Sequence, residues 1–179
     1  MFDAQLNWQT LDKPQPQLSY YYQTPAGILA IQLQGELVST VQWIINPPLD
    51  AKYSGLPTAL EQQINNYWLT GKMTIRTGLL KQGTEFQRNV WCALYQIPPG
   101  ITKTYGELAK ELNTGPRALA NACRKNPFPL LIPCHRILAK TGLGGYAGAS
   151  SGKLINIKAA LLKHEKIDLP VENSECKHV

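Results

Sequence analysis

The residues best suited to chemistry are Cys134, His135 and Arg136, which follow one another after the apolar run Phe128 to Pro133. A thiol attacks only as thiolate, so a reactive cysteine needs a base or a positive field beside it. His135 is the nearest base, but neighbouring side chains do not face each other on a helix. Proton transfer to it therefore calls for a tight turn or an intervening water. A carboxylate that orients the imidazole would complete a Cys–water–His–carboxylate relay, by the logic of a catalytic triad. Glu165 is the candidate, because it ends a helical segment that must pack back on this region. The commoner fate of a free cysteine is to be a buried, inert thiol. The Pro-Cys-His-Arg setting, with the glycine-rich loop Gly142 to Gly148 downstream, points away from that.

The other cysteines, Cys92, Cys123 and Cys176, are spread too widely for a disulfide framework, and no C-x-x-C pair occurs. His135, His164 and His178 make no zinc spacing with them. No metal and no cofactor are expected. The net charge of +6 is unevenly placed. Residues 1–99 balance six Lys/Arg against six Asp/Glu, whereas residues 100–166 carry eleven against three, a net of +8. Such an excess suits a polyanionic partner. No run nears the ~20 apolar residues of a membrane helix, and the N-terminus shows no secretory pattern. A protein of the cytoplasm, or of the nucleus in a eukaryote, is expected, without a membrane partner.

The elements that must position these residues can be read from pattern. Tyr20 to Tyr22 is β-prone, and Ile28–Gln34 and Glu36–Ile44 form an antiparallel pair hinged at Gly35. Leu56, Leu60, Ile64 and Tyr67/Trp68 predict a helix ending at Gly71. Nothing in this first half reads as a site. After a connector at Arg76 to Gly83, Thr84 and Gln87 form a capping box ahead of Phe86, Val90 and Leu94 on one helical face. A second box, Thr104 and Glu107, opens a short helix through Leu112. Asn113-Thr114-Gly115 is a turn, and Pro116 is well placed to start a helix reaching Arg124 and carrying Arg117. Two short helices about a glycine-containing turn make a helix-turn-helix candidate. A last helix runs from about Gly152 to Lys163.

Between Gly83 and Glu165 the motifs G-T-x-F-Q-x-x-V-W, I-P-x-G, Tyr105-Gly106, R-A-L-A-x-A, N-P, P-C-H-R and H-E occur in order. This stretch resembles the O6-alkylguanine-DNA alkyltransferases, also called methylated-DNA–protein-cysteine methyltransferases. The resemblance implies an α+β fold. Residues 1–80 would be a small antiparallel-sheet domain of ribonuclease-H-like outline, and residues 83–170 a mainly helical domain with a winged helix-turn-helix-like DNA-binding motif. Residues 171–179 would be a tail.

The resemblance also implies roles. Cys134 would take the alkyl group irreversibly, with His135 accepting its proton through water and Glu165 holding the imidazole. Asn126 would fix the turn that aims Cys134. Tyr105 would support base extrusion and hydrogen-bond the flipped guanine. Arg117 would fill the gap in the stack, with small Ala118 and Ala120 allowing close approach to DNA. Pro129, Gly144, Gly145, Tyr146, Ala147 and Lys158 would build the pocket, and backbone groups of Cys134, Ile137 and Ala147 would read the guanine edge. The partner would be double-stranded DNA containing O6-alkylguanine, bound from the minor groove by a monomer, with O4-alkylthymine as a further substrate and cooperative binding left open. Ala147 stands where some members carry serine, so only its backbone could serve.

Three other readings compete. A damage sensor of the alkyltransferase-like kind would lack the cysteine. A transcription regulator would need a further DNA-binding module. A cysteine hydrolase would need an oxyanion hole.

Overall fold

The structure, a computed structural model, describes residues 6–49, 51, 53 and 55–167, so Cys176, His178 and the tail 171–179 lie outside the described residues. Strands β2 (Gln17–Thr24), β3 (Gly27–Gln34) and β4 (Leu37–Ile44) form an antiparallel meander. Their hydrophobic alternation sets one face inward: Leu29, Ile31 and Leu33 on β3, Val41 and Trp43 on β4. Two short strands that the sequence pattern did not reveal extend this sheet. β1 (Trp8–Gln9) and β5 (Leu79–Leu80) pair in parallel, and β5 also pairs in parallel with β4, in the order β1-β5-β4-β3-β2. The connector expected at Arg76 to Gly83 thus holds a strand. Two residues are too few to show a period of two.

Helix α1 (Thr58–Thr70) buries Leu60, Ile64 and Tyr67 and ends at Gly71, in the left-handed conformation expected of a helix stop. α2 (Glu85–Tyr95) and α3 (Tyr105–Glu111) both open with complete capping boxes, Thr84 with Gln87 and Thr104 with Glu107. α4 (Pro116–Arg124) starts with proline at its first turn and turns Leu119, Ala122 and Cys123 inward. α3 and α4 pack together, with Leu108, Ala109 and Leu119 buried, and Trp91 of α2 donates to the Ala122 carbonyl at 3.0 Å. A second sheet, β6 (Lys103–Thr104) with β7 (Ile137–Leu138), is a parallel pair of two-residue strands. Cys134–Arg136 form a single 3-10 turn, and α5 (Lys153–His164) closes the fold.

The two halves share one apolar core, which runs from Leu29 and Ile64 through Trp91 to Phe128 and Leu161. Trp8 packs on both Trp91 and Phe128. Backbone joins them too: the Val41 amide of β4 donates to the Pro127 carbonyl at 2.8 Å.

Gly83 and Gly71 allow the packing in this core to be tested. Both have positive φ, +75° and +74°. A Cβ at Gly83 would lie 2.6 Å from Cη2 of Trp91, whereas one at Gly71 would meet nothing within 4 Å among the described residues. Trp91 is buried and tied by its indole, so it cannot yield. Gly71→Ala should cost about 1 kcal/mol from backbone strain alone. Gly83→Ala should cost about 1–3 kcal/mol more from overpacking. Urea midpoints of the two variants should separate in that order.

Candidate active site

The turn before the 3-10 segment carries strain. Leu130, buried, has φ +76°, a conformation that side chains other than glycine rarely adopt. Asn126 holds it from both sides: its Oδ1 accepts from the Phe128 amide at 3.0 Å and its Nδ2 donates to the Ile132 carbonyl at 2.9 Å. The Cys134 amide then donates to the Ile132 carbonyl at 2.8 Å. Asn126, the residue that the resemblance assigns to this turn, thus ties the chain that leads to Cys134.

Cys134 is 5% exposed and lines a cavity of about 290 Å³. Burial pushes its thiol above the ordinary value, and the Asn126 amide and the Lys158 charge pull it back only in part. At rest the group is a neutral thiol, so attack requires a base. His135, wholly buried, follows it. Its Nε2 lies 2.9 Å from Glu165 Oε1, while its Nδ1 is buried with no hydrogen-bond partner among the described residues. Burial, more than its charged neighbours Arg136 and Lys158, lowers the imidazole below its ordinary value, against the pull of Glu165. A neutral ring donating from Nε2 to the carboxylate leaves Nδ1 as a free acceptor. That is the arrangement of a general base waiting for a proton.

Glu165 caps α5 and gathers donors. Oε1 also accepts from Arg136 Nη2 at 2.8 Å and from Tyr67 Oη at 2.9 Å, and Oε2 accepts from Arg136 Nε at 2.8 Å. Arg136 further donates to the Ile97 carbonyl. Burial alone would raise the Glu165 carboxyl, but hydrogen bonds from His135 and Arg136, and the Arg136 charge, outweigh it and hold it down at about 2.

The cavity is walled on one side by α4, through Ala120, Cys123 and Arg124, and on another by Gly145 to Ser150, with Tyr105 between. The Tyr105 phenol is pushed up to about 12, chiefly by burial, so it remains a donor at neutral pH. Tyr146 and Ala149 close a tight turn by exchanging both backbone hydrogen bonds, with Ala147 at φ +48°. Lys158 acts behind this wall. Its buried ammonium donates to the carbonyls of Ile137 at 2.6 Å, Leu143 at 2.6 Å and Gly145 at 3.0 Å, clamping the loop to β7. Burial lowers it to about 8, against the pull of the two nearby thiols, Cys134 first.

Of the expected pocket residues, Gly145, Tyr146 and Ala147 line the cavity with Cys134 and Tyr105. Pro129, Ile137, Gly144 and Lys158 do not; Pro129 and Ile137 are buried, Lys158 supports the loop, and Gly144 lines a larger cleft of about 990 Å³. Ala120 lines the cavity, while Arg117 and Ala118 are exposed on the first turn of α4. Sequence reasoning missed four participants. Cys123 and Arg124 share the cavity, Tyr67 holds Glu165, and Trp43 donates to the Tyr146 hydroxyl at 2.8 Å. Tyr67 and Trp43 correct the expectation that nothing in the first half belongs to a site. The available signal was chemical: a buried tyrosine or tryptophan needs a partner for its polar tip.

Comparison with known proteins agrees with this geometry. A family model described as "6-O-methylguanine DNA methyltransferase, DNA binding domain" matches residues 85–167. A methylated-DNA–protein-cysteine methyltransferase of Methanosarcina mazei is 40% identical over 113 residues, 62% of this chain and 68% of the relative. One from Mycobacterium tuberculosis is 32% identical over 157 residues, 83% of this chain and 92% of the relative. The chain belongs to the methylated-DNA–protein-cysteine methyltransferase family. The crystal structure of the M. tuberculosis O6-methylguanine methyltransferase superposes on this methyltransferase with a TM-score of 0.69 at 29% identity, covering 84% of this chain and 93% of the other. That protein has also been crystallised in complex with DNA, and this form superposes with a TM-score of 0.65 at 29% identity, covering 83% and 92%. The match extends well beyond the motif-bearing half, so the N-terminal sheet belongs to the family fold as well.

The carboxylate sets an acid limit on this methyltransferase. With Glu165 held near 2 against an ordinary 4.5, its stabilising effect is complete above 4.5 and is lost as pH falls toward 2. His135, kept neutral by burial, adds a loss that begins below its ordinary 6.5, where the unfolded chain takes up a proton first. Urea unfolding across pH should show stability falling through both windows. Glu165→Gln should be less stable at neutral pH and should flatten the fall between 4.5 and 2; an unchanged slope there would contradict the depressed carboxyl.

Proposed function

We propose that this chain repairs DNA by moving the alkyl group of O6-alkylguanine onto Cys134, once and irreversibly. The observation that carries this reading is a neutral buried thiol on a small cavity, followed in the chain by an imidazole with one nitrogen free and the other on a carboxylate. The thiol proton passes through water to His135 Nδ1. Sulfur then forms its bond to the alkyl carbon as the bond from that carbon to O6 breaks. The electron pair leaves with the guanine, the Tyr105 phenol stabilises the developing charge, and the proton held by His135 passes through water to the guanine anion, which leaves as neutral guanine. The product is a thioether, which is uncharged and a poor leaving group, so the site is spent after one event.

A nucleophile inside a cavity cannot reach O6 while the base is stacked, so the nucleotide has to be flipped, at a cost of a few kcal/mol. The α3–α4 pair serves as the helix-turn-helix, entering from the minor groove with the glycine-rich loop as its wing. Exposed Arg117 fills the space the base leaves and offsets part of the cost. Exposed Ala118 and half-buried Ala120 let the helix come close. The degenerate minor-groove edge suits recognition of damage in any sequence. O4-alkylthymine offers the same alkyl–oxygen bond on a smaller ring and is expected to react in the same cavity.

Methyl transfer from O6-methylguanine duplex should saturate at one methyl per protein and disappear in Cys134→Ala. Turnover beyond one, or transfer that survives the substitution, would refute the reading. Arg117→Ala should slow repair of duplex about tenfold or more, from loss of a wedge against a stack worth a few kcal/mol. The same variant should react with free O6-benzylguanine at nearly the normal rate; equal losses on both substrates would remove Arg117 from flipping.

A further inference from the structure

Tyr67 reaches the site from the far half of the chain, and its placement is over-determined. It is fully buried, its ring meets Trp68 edge-on at 5.1 Å, and its carbonyl lies 3.0 Å from His164 Nε2. These contacts fix the phenol so that its hydroxyl donates to Glu165 Oε1, the oxygen that also accepts from His135. Three donors thus converge on one carboxylate oxygen, from Tyr67, His135 and Arg136. Donors sharing an acceptor compete for its charge, so the strength of one bond weakens the others.

We propose that Tyr67 is a positioning residue of the transfer site, whose phenol limits how tightly Glu165 holds His135 and so sets the pH range in which His135 can accept the thiol proton. The proposal rests on the reading of His135 as the base that serves Cys134.

The charged and titratable groups around the pair act in known directions. Arg136, beside it in the 3-10 turn, and Lys158, from α5, both disfavour a charged imidazole. Glu165 favours it. Tyr146, from the glycine-rich loop, remains a neutral phenol because burial raises it. His164 of α5 faces Tyr67 and Trp68 rather than the carboxylate. Tyr67 itself is raised, chiefly by burial and then by Glu165, so it stays protonated and donates at every working pH. Loss of its hydroxyl leaves Oε1 with more charge for His135, which favours the imidazolium. The base is then protonated at a higher pH, and the acid limb of the transfer reaction moves upward.

The test is the pH–rate profile of single-turnover transfer from O6-benzylguanine. Tyr67→Phe should shift the acid limb up by about one pH unit, the scale of one hydrogen bond to a charged group. Replacement of Tyr67 by 3-fluorotyrosine, a stronger donor that keeps the hydroxyl and the packing, should shift it down. Trp43→Phe breaks a bond of similar length between the halves, but on the pocket wall; it should slow transfer without moving the limb. An acid limb that is present in the parent, abolished by His135→Ala, and unmoved by both changes at Tyr67 would overturn the proposal while leaving the relay standing. A parent profile with no limb due to His135 would overturn the relay and the proposal together.

Discussion

A carboxylate placed in an apolar interior is the constraint around which the rest of this fold is arranged. Ionised Glu165 would be prohibitively costly without compensation. It is compensated by four hydrogen bonds from three residues: both sides of the Arg136 guanidinium, the His135 ring and the Tyr67 phenol. Each donor comes with a structural demand. Arg136 and His135 require the 3-10 turn to hold its shape, Glu165 requires α5 to end there, and Tyr67 requires α1 to pack against them. Parting the halves would leave a buried charge short of a donor, as well as exposing the shared apolar core.

The same arrangement governs reactivity. Burial keeps Cys134 a thiol and His135 an imidazole, so neither is charged at rest. A permanently ionised thiolate would react with any electrophile that reached it. In the proposed relay the proton would move only to an imidazole that the carboxylate already holds. The loop and the turn beside the cavity are held in a similar manner, by polar side chains whose partners are backbone groups. Lys158 clamps the glycine-rich loop from behind, and Asn126 secures the strained turn at Leu130.

Much of this was legible in the residues. Both capping boxes, the proline-started α4, the antiparallel pair of β3 and β4 and the pairing of His135 with Glu165 appear where pattern and chemistry placed them. These features are local or carry a distinctive motif. What escaped depends on distance along the chain. β1 and β5 are two residues each and exist only through parallel pairing with remote partners. Tyr67 and Trp43 read as core aromatics in periodic segments, and only the packing of the halves shows where their polar tips go, to Glu165 and Tyr146, 98 and 103 residues away. Cys123 read as one of several free thiols, and its place on the cavity follows from the rotation of α4. Pro129, Ile137 and Lys158 were assigned to the pocket by resemblance, which conveys neighbourhood but not which side of a wall a residue occupies.

One particular thiol is proposed to receive the alkyl group, although Cys123 lines the same cavity and Cys92 is half-buried on α2. Peptide mapping by mass spectrometry, after reaction with duplex carrying O6-methylguanine, tests this most directly. A single methyl is expected, confined to the peptide that contains Cys134, with Cys92 and Cys123 unmodified. A methyl on Cys123 or Cys92, or demethylated DNA with no methyl left on the protein, would contradict it.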